Sequence, residues 1–108
     1  MKGEILKGHL DFILLAALQP EPAYGYALIR EIQLKTGGLL QLTEGTLYPV
    51  LHRLEDAGYL QSTLEIVQSR KRRLYRLTPE GEDQLEKLRD DWAQFSRGIE
   101  NLLEEARG

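Results

Sequence analysis

The sequence predicts a mainly α-helical fold with a small β-hairpin and one long C-terminal helix. Three apolar segments before residue 58 have helical length and spacing, two strand-like segments follow, and a heptad pattern runs through residues 79–108. With 108 residues, of which 42% are hydrophobic, the chain can bury one core. We therefore divide it into a globular unit at residues 1–78 and an appended helix at residues 79–108.

The first two helices are predicted from apolar runs and the residues that stop them. Residues 10–18 are apolar on nearly every side, which indicates a buried helix that ends ahead of Pro20. A second helix is predicted to begin near Pro22 and Ala23, because proline suits the first helical position. Its buried stripe is predicted to be Tyr24, Leu28, Ile29 and Ile32. The glycine pair at 37–38 ends it, since glycine readily adopts the left-handed conformation that follows a helix.

The third helix is the most informative one, because its two faces differ sharply. Its buried stripe follows the spacing i, i+3, i+4, i+7 and consists of Leu47, Val50, Leu51 and Leu54. The opposite face carries Gly45, Pro49, His52 and Asp56, flanked by Tyr48 and Arg53. Thr43 or Thr46 can cap its start, and Gly58 ends it. If Thr43 is the cap, Pro49 lies past the first turn and removes a backbone hydrogen bond, so the helix either begins near Thr46 or bends.

A β-hairpin is predicted after the third helix. Residues 59–67 alternate in polarity, with Leu60, Leu64 and Ile66 on one face, and residues 73–77 form the partner strand. The connecting segment 68–72 contains no glycine, so it predicts a loose and mobile tip rather than a tight primed turn.

Positive charge is concentrated in this hairpin. The whole chain has a formal net charge of −3, but residues 61–78 contain five basic residues and one acidic residue. The basic residues are Arg70, Lys71, Arg72, Arg73 and Arg76. A basic run can be only a solvated loop, whereas a basic patch on an otherwise acidic chain is typical of a nucleic-acid contact.

Three helices followed by a hairpin is the element order of a winged helix-turn-helix, in which the third helix enters the DNA major groove and the hairpin contacts phosphates. The predicted DNA contacts of the third helix are Thr46, Tyr48, Pro49, His52 and Arg53. The predicted phosphate contacts of the wing are Arg70, Lys71, Arg72 and Arg73. Alternatives stay open for single residues, because Tyr48 can pack on its own domain and Arg53 can pair with Glu55 or Asp56.

The C-terminal helix has the pattern of a dimer interface. Thr78 caps it and Pro79 occupies its first position. Its apolar residues alternate spacings of three and four: Leu85, Leu88, Trp92, Phe95, Ile99, Leu102 and Ala106. A helix of about 27 residues is about 40 Å long, whereas the rest of the chain forms a globule about 30 Å across. The stripe from Leu85 to Leu102 is therefore predicted to pack against a second copy about a twofold axis.

Five short segments share their order and spacing with a known family. They are Tyr24-Gly25-Tyr26, Gly45-Thr46-Leu47-Tyr48-Pro49, Arg53-Leu54-Glu55 with Gly58, Arg72-Arg73-Leu74-Tyr75, and Leu77-Thr78-Pro79-Glu80-Gly81. By these segments the chain resembles the PadR family of bacterial regulators over essentially its whole length. The resemblance implies a dimeric repressor that releases its operator when an effector or another signal arrives. The family pattern contains Pro49, whereas the glycines that the family's wing often has before its basic cluster are missing here.

The resemblance also points to an effector site at the centre of the dimer. Multidrug-responsive members of the subfamily with a single C-terminal helix hold flat aromatic compounds between two tryptophans, and Trp92 occupies the corresponding place. By the same resemblance Phe12 and Leu15 line the slot, and Asp11 either lines it or caps a helix. The alternative for Trp92 is that it only fills the dimer core.

Together these observations predict a sequence-specific DNA-binding regulator, a homodimeric repressor that binds a palindromic operator and is released by a small planar aromatic effector. The alternative is a winged-helix module that binds other proteins and not DNA, which the acidic C-terminal segment favours. No enzyme, cofactor or metal site is predicted, because the chain has no cysteine, no glycine-rich phosphate loop and no histidine pair at metal-ligand spacing. No apolar run is long enough to span a membrane, so we expect a cytoplasmic protein.

Overall fold

The computed structural model describes residues 8–107. Residues 1–7 of the predicted globular unit and residue 108 of the predicted appended helix lie outside that range. The elements, in chain order, are α1 (Leu10–Leu18), β1 (Ala23–Tyr24), α2 (Gly25–Lys35), α3 (Glu44–Asp56), β2 (Leu60–Val67), β3 (Arg70–Leu77) and α4 (Pro79–Arg107). The predicted fold class is confirmed: residues 8–107 form four helices, of which the last is long, and a small three-stranded antiparallel sheet.

Strand β1 is an element that the sequence did not indicate. Ala23 and Tyr24 pair antiparallel with Tyr75 and Leu74, so the sheet order is β1-β3-β2. The prediction that the second helix begins near Pro22 and Ala23 was therefore wrong, because α2 begins at Gly25. Pairing with β3 supplies backbone partners that the first turn of a helix would lack. As a result, the start of α2 is attached directly to the hairpin.

The core lies between the first three helices and the base of the sheet. One side of α1, the stripe predicted for α3, and Leu28 and Ile32 of α2 are buried. Tyr75 of β3 is the largest fully buried side chain, and burial raises the pKa of its hydroxyl. Helix α3 therefore faces the core with one side and presents its other side outward.

Helix α3 begins with Thr43 as its cap and continues through Pro49. The backbone N–H of Thr46 donates to the Thr43 hydroxyl at 3.3 Å, and the helix starts at Glu44. The sequence predicts that α3 either begins near Thr46 or bends at Pro49, and a start near Thr46 is therefore wrong. Because proline has no N–H, the carbonyl of Gly45 lacks its helical donor, and both residues are exposed.

The wing tip is tight, which corrects the expectation of a loose loop. Gln68 and Ser69 have φ angles of 50° and 67°, and Val67 pairs directly with Arg70. Two successive residues in the left-handed conformation form a turn whose twist matches that of the two strands. This conformation is unfavourable for residues other than glycine, and the eight residue pairs of β2 and β3 offset that cost. Strand β3 therefore begins at Arg70, and the basic residues lie on a strand.

Helix α4 is anchored at its start and exposed along most of its remaining length. The Thr78 hydroxyl accepts a hydrogen bond from the N–H of Gly81 at 3.0 Å and donates one to the carbonyl of Gly58 at 2.6 Å. Nearly every residue after Leu88 is exposed. The radius of gyration is 15.8 Å, whereas a compact chain of this length has about 13 Å. None of the helices within residues 8–107 is long and apolar enough to cross a bilayer.

Candidate nucleic-acid interface

The outward side of α3 carries the residues that were predicted to contact DNA. Pro49, His52 and Arg53 are exposed, whereas Thr46 and Tyr48 are half-buried. Thr46 is engaged in the cap, since its hydroxyl accepts from that of Thr43 at 3.1 Å. The accessible groups of this face therefore lie in the middle and in the last turn of α3.

Tyr48 packs on its own domain and also borders the outward face. A Cβ atom added to Gly25 would lie 2.9 Å from Cε1 of Tyr48, so the tyrosine ring occupies the space that a side chain at position 25 would take. Gly25 thus allows α3 and α2 to approach closely.

A cleft of about 280 Å³ separates α3 from the hairpin, and we name it the wing cleft. Its hydrogen-bonding and charged lining residues include Tyr26, Tyr48, His52, Lys71, Arg72 and Arg73. Three cations beside neutral donors form a surface that suits a phosphate backbone. Tyr26 was missed by sequence reasoning, although it belongs to a segment that carried the family resemblance.

The four basic wing residues divide between the two faces of the hairpin. Lys71 and Arg73 stand opposite Ile66 and Leu64, whereas Arg70 and Arg72 project from the other face. Of the apolar residues predicted to share one face, only Leu60 is buried, and Leu64 and Ile66 are 53% and 75% exposed. The face that carries Lys71 and Arg73 is therefore accessible to a partner.

Arg73 is connected to α3 through Ser62. Its Nη1 donates to the Ser62 hydroxyl at 3.2 Å, and that hydroxyl donates to Oε2 of Glu55 at 2.7 Å. The backbone N–H of Ser62 donates to the same carboxylate oxygen at 3.2 Å. This chain of contacts holds the base of the hairpin against α3.

Arg53 pairs with Asp11 of α1, and not with Glu55 or Asp56 as the sequence suggested. Its Nη1 donates to Oδ2 of Asp11 at 3.0 Å, and Nη2 contacts Oδ1. These hydrogen bonds raise the pKa of the guanidinium. The two-point contact joins the last turn of α3 to α1.

A second cleft, of about 440 Å³, lies where α1, α4 and Arg53 meet, and we name it the Trp92 cleft. Asp11, Phe12, Trp92 and Phe95 line it, together with His9 and Asp91. The His9 ring stands edge-on to the indole of Trp92 at 5.8 Å between centroids. Leu15, which was predicted to line this site, is fully buried in the core, because it lies on the inner side of α1.

The apolar stripe of α4 is divided between two environments. Leu85 is fully buried within its own chain and Leu88 is half-buried against the core, so the prediction that Leu85 lies in a dimer interface was wrong. The first turns of α4 pack on α1, which takes up this part of the stripe. Trp92, Phe95, Ile99 and Leu102 are 40% to 64% exposed, and Leu103, which was not predicted, is exposed beside them.

Comparison with known proteins decides the family. The model of the transcriptional regulator PadR-like family matches residues 14–87, which include α2, α3 and the whole hairpin. The chain belongs to the PadR-like family. Members of this family are DNA-binding transcriptional regulators and not enzymes. Among residues 8–107 no three side chains cluster in a way that could hold a metal ion.

Relatives and solved structures agree with this assignment. The PadR-like chain is 43% identical over 68 residues to the transcriptional regulator Rv3488 of Mycobacterium tuberculosis, covering 63% of this chain and 57% of that protein. A transcriptional regulator of Clostridium thermocellum superposes with a TM-score of 0.84 at 31% identity, covering 92% of this chain and 97% of the other. A PadR family regulator of Eggerthella lenta superposes with a TM-score of 0.81 at 36% identity, covering 93% and 86%.

Proposed function

We propose that this PadR-like regulator is a homodimeric repressor that binds a palindromic operator through α3 and the wing. The observation that carries the proposal is the wing cleft, which places Lys71, Arg72 and Arg73 beside the exposed face of α3. In a winged helix-turn-helix, a helix in the major groove reads base edges while basic side chains fix the register on the phosphates. In this arrangement Pro49 and His52 face the bases, and Lys71 contacts phosphate. Such a protein acts where the chromosome is, in the cytoplasm.

The proposal of a dimer is supported by the exposed part of α4, which follows Leu88. Four large apolar side chains, Trp92, Phe95, Ile99 and Leu102, lie on one stripe and are 40% to 64% exposed. Monomeric proteins seldom expose an apolar stripe of this kind, and a second copy can cover it about a twofold axis. A twofold dimer presents two α3 helices, which suits half-sites about 34 Å apart.

An effector site is supported by the Trp92 cleft. Its walls are aromatic, and the carboxylates of Asp11 and Asp91 face it, so a planar aromatic compound with a positive charge suits it best. Asp11 also holds Arg53 of α3. We infer that a cation taking the Asp11 carboxylate breaks this link between α1 and α3, which would couple occupancy of the cleft to operator binding.

Selection from a pool of random DNA duplexes tests the proposed function. The protein is expected to enrich a palindrome with half-sites one helical turn apart. The acidic tail and the exposed Leu64 and Ile66 favour the alternative of a protein-binding module. Failure to enrich any sequence, in a sample shown to be folded, would favour that alternative and contradict DNA recognition.

Trp92 is the single tryptophan, so its fluorescence tests the effector site directly. N-methylquinolinium is a planar cation, and quinoline is its uncharged analogue at neutral pH. The cation is expected to quench Trp92 at lower concentration than quinoline and to weaken binding to the enriched duplex, and Asp11→Asn is expected to reduce both effects. Equal quenching by the two compounds would contradict the role of the carboxylates.

A further inference from the structure

We propose that Tyr24, Tyr26, Glu65 and Arg72 form a brace that sets the position of the wing relative to α3. In this role Arg72, which was predicted from the sequence to contact phosphate, is a positioning residue that contacts the protein, whereas Lys71 and Arg73 contact phosphates. The consequence for DNA affinity rests on the proposed function, but the brace itself does not. We name these four residues the wing brace.

Arg72 is held by an aromatic ring of α2. Its guanidinium carbon lies 4.4 Å from the centroid of the Tyr26 ring, which is the geometry of a cation–π contact. Tyr26 is the second residue of α2, so this contact joins the hairpin to the helix that precedes α3. An arginine stacked in this way is restrained before any ligand arrives.

Tyr24 and Glu65 close the brace on the same face of the sheet. The rings of Tyr24 and Tyr26 are stacked, with centroids 5.8 Å apart and planes inclined by 16°. The Tyr24 hydroxyl donates to Oε1 of Glu65 at 2.6 Å, and Glu65 stands directly opposite Arg72 in the register of β2 and β3. Each of the two strands is thus tied to one of two stacked tyrosines.

The brace lies in the outer part of the hairpin, which the short strand β1 does not reach. Strand β1 pairs only with Tyr75 and Leu74, so the hairpin from Leu64 and Arg73 to the turn is two-stranded. A two-stranded hairpin is marginally stable by itself and twists variably. Glu65 and Arg72 lie within this outer part, which makes the brace the contact that fixes its direction.

A distance measurement tests the brace without DNA. Because the chain has no cysteine, spin labels can be placed at Ile66→Cys on the wing and Gln33→Cys on α2, both exposed. Diluting labelled with unlabelled chains isolates the distance within one subunit. We expect a narrow distribution in the parent and in Tyr26→Phe, which keeps the ring, and a broader, shifted one in Tyr26→Ala and Arg72→Gln. Unchanged distributions in the last two variants would overturn the proposal.

Salt-dependent DNA binding separates positioning from phosphate contact. Lys71→Ala removes one phosphate contact from each subunit of the proposed dimer, so it is expected to reduce the slope of log affinity against log salt by about 1.8, which is about 0.9 for each phosphate. Arg72→Gln is expected to weaken binding about five-fold, the loss of one weak exposed cation–π contact in each subunit, and to leave the slope unchanged. The same reduction of slope in Arg72→Gln would show a phosphate contact and overturn the positioning role.

The double variant completes the test. Tyr26→Ala and Arg72→Gln remove the same contact, so together they are expected to weaken binding about five-fold and not about twenty-five-fold. Fully additive effects would overturn the proposal. If the parent binds no duplex at all, the proposed function fails, and the spin-label distances still decide the brace.

Discussion

At the scale of single residues, close approaches and caps determine how the parts of this protein meet. A Cβ atom added to Gly81 would lie 2.0 Å from the carbonyl oxygen of Tyr59, so α4 can leave the hairpin only because this position has no side chain. Gly98 lies on the same helix, and a Cβ atom there would meet nothing within 4 Å. The two glycines make a matched pair.

Gly81→Ala is therefore expected to destabilise the protein by at least about 1–3 kcal/mol, because the backbone of Tyr59 must shift. Gly98→Ala is expected to stabilise it by up to about 1 kcal/mol, because alanine favours the helix. Urea denaturation of the two variants beside the parent gives both values. A Gly81→Ala protein as stable as the parent would contradict the packing of α4 described above.

Which of these residue contacts the sequence could predict depends on how local they are. Thr78 and Pro79 are recognisable as a helix start because the cap spans only a few residues. The partner of Arg53 was predicted among its neighbours on α3, whereas it is Asp11, 42 residues away. Nothing in the local pattern around Arg53 identifies a partner on another helix.

At the scale of elements, the hairpin is the part whose geometry most affects the proposed function. An apolar run predicted α1, helical periodicity predicted α3, and alternating polarity predicted β2, although Leu64 and Ile66 of β2 are exposed. These patterns missed β1 and the primed turn at Gln68 and Ser69, since both depend on pairing with a distant or opposite strand. The arrangement of the basic residues on two faces followed from that turn, and could not be predicted without it.

The hairpin also gives a pH prediction through Tyr24. The hydrogen bond to Glu65 raises the pKa of Tyr24 above its ordinary value of 10.0, so the neutral form is favoured in the folded state. Between pH 7 and the ordinary pKa of 10.0 its stabilising contribution is therefore full, and it is lost as the pH rises through the raised pKa. Urea denaturation between pH 7 and 11 should show a higher free energy of unfolding for the parent than for Tyr24→Phe, and this difference should shrink only at the alkaline end. A difference that does not depend on pH would contradict this role.

At the scale of the whole molecule, α4 makes the chain longer than its core requires. The longest dimension is 61 Å, against 28 Å and 21 Å for the other two. The sequence predicted the overhang from the length of the heptad stripe. It placed Leu85 at the interface because a stripe does not show where packing on the same chain ends and a second chain would begin.

The proposed dimer predicts a specific effect of charge on the free stripe. Ile99→Asp is expected to convert the dimer into a monomer, because the carboxylate would be buried against a second helix. Ile66→Asp is the matched control, since it places the same charge on an exposed apolar position of the wing. Sedimentation equilibrium should show a monomer for the first variant and the parental mass for the second. A parental mass for both would mean that the stripe does not join two chains.

The central claim is that two copies of α3 and the wing bind one DNA duplex. The most direct test is the affinity of the wild-type protein for the enriched duplex between 50 mM and 200 mM salt, with the stoichiometry at saturation. If the wings and helices of a dimer contact about six phosphates, affinity should fall about a thousandfold over this range. The account predicts that fall with two chains per duplex. An affinity that does not depend on salt, or one chain per duplex, would contradict it.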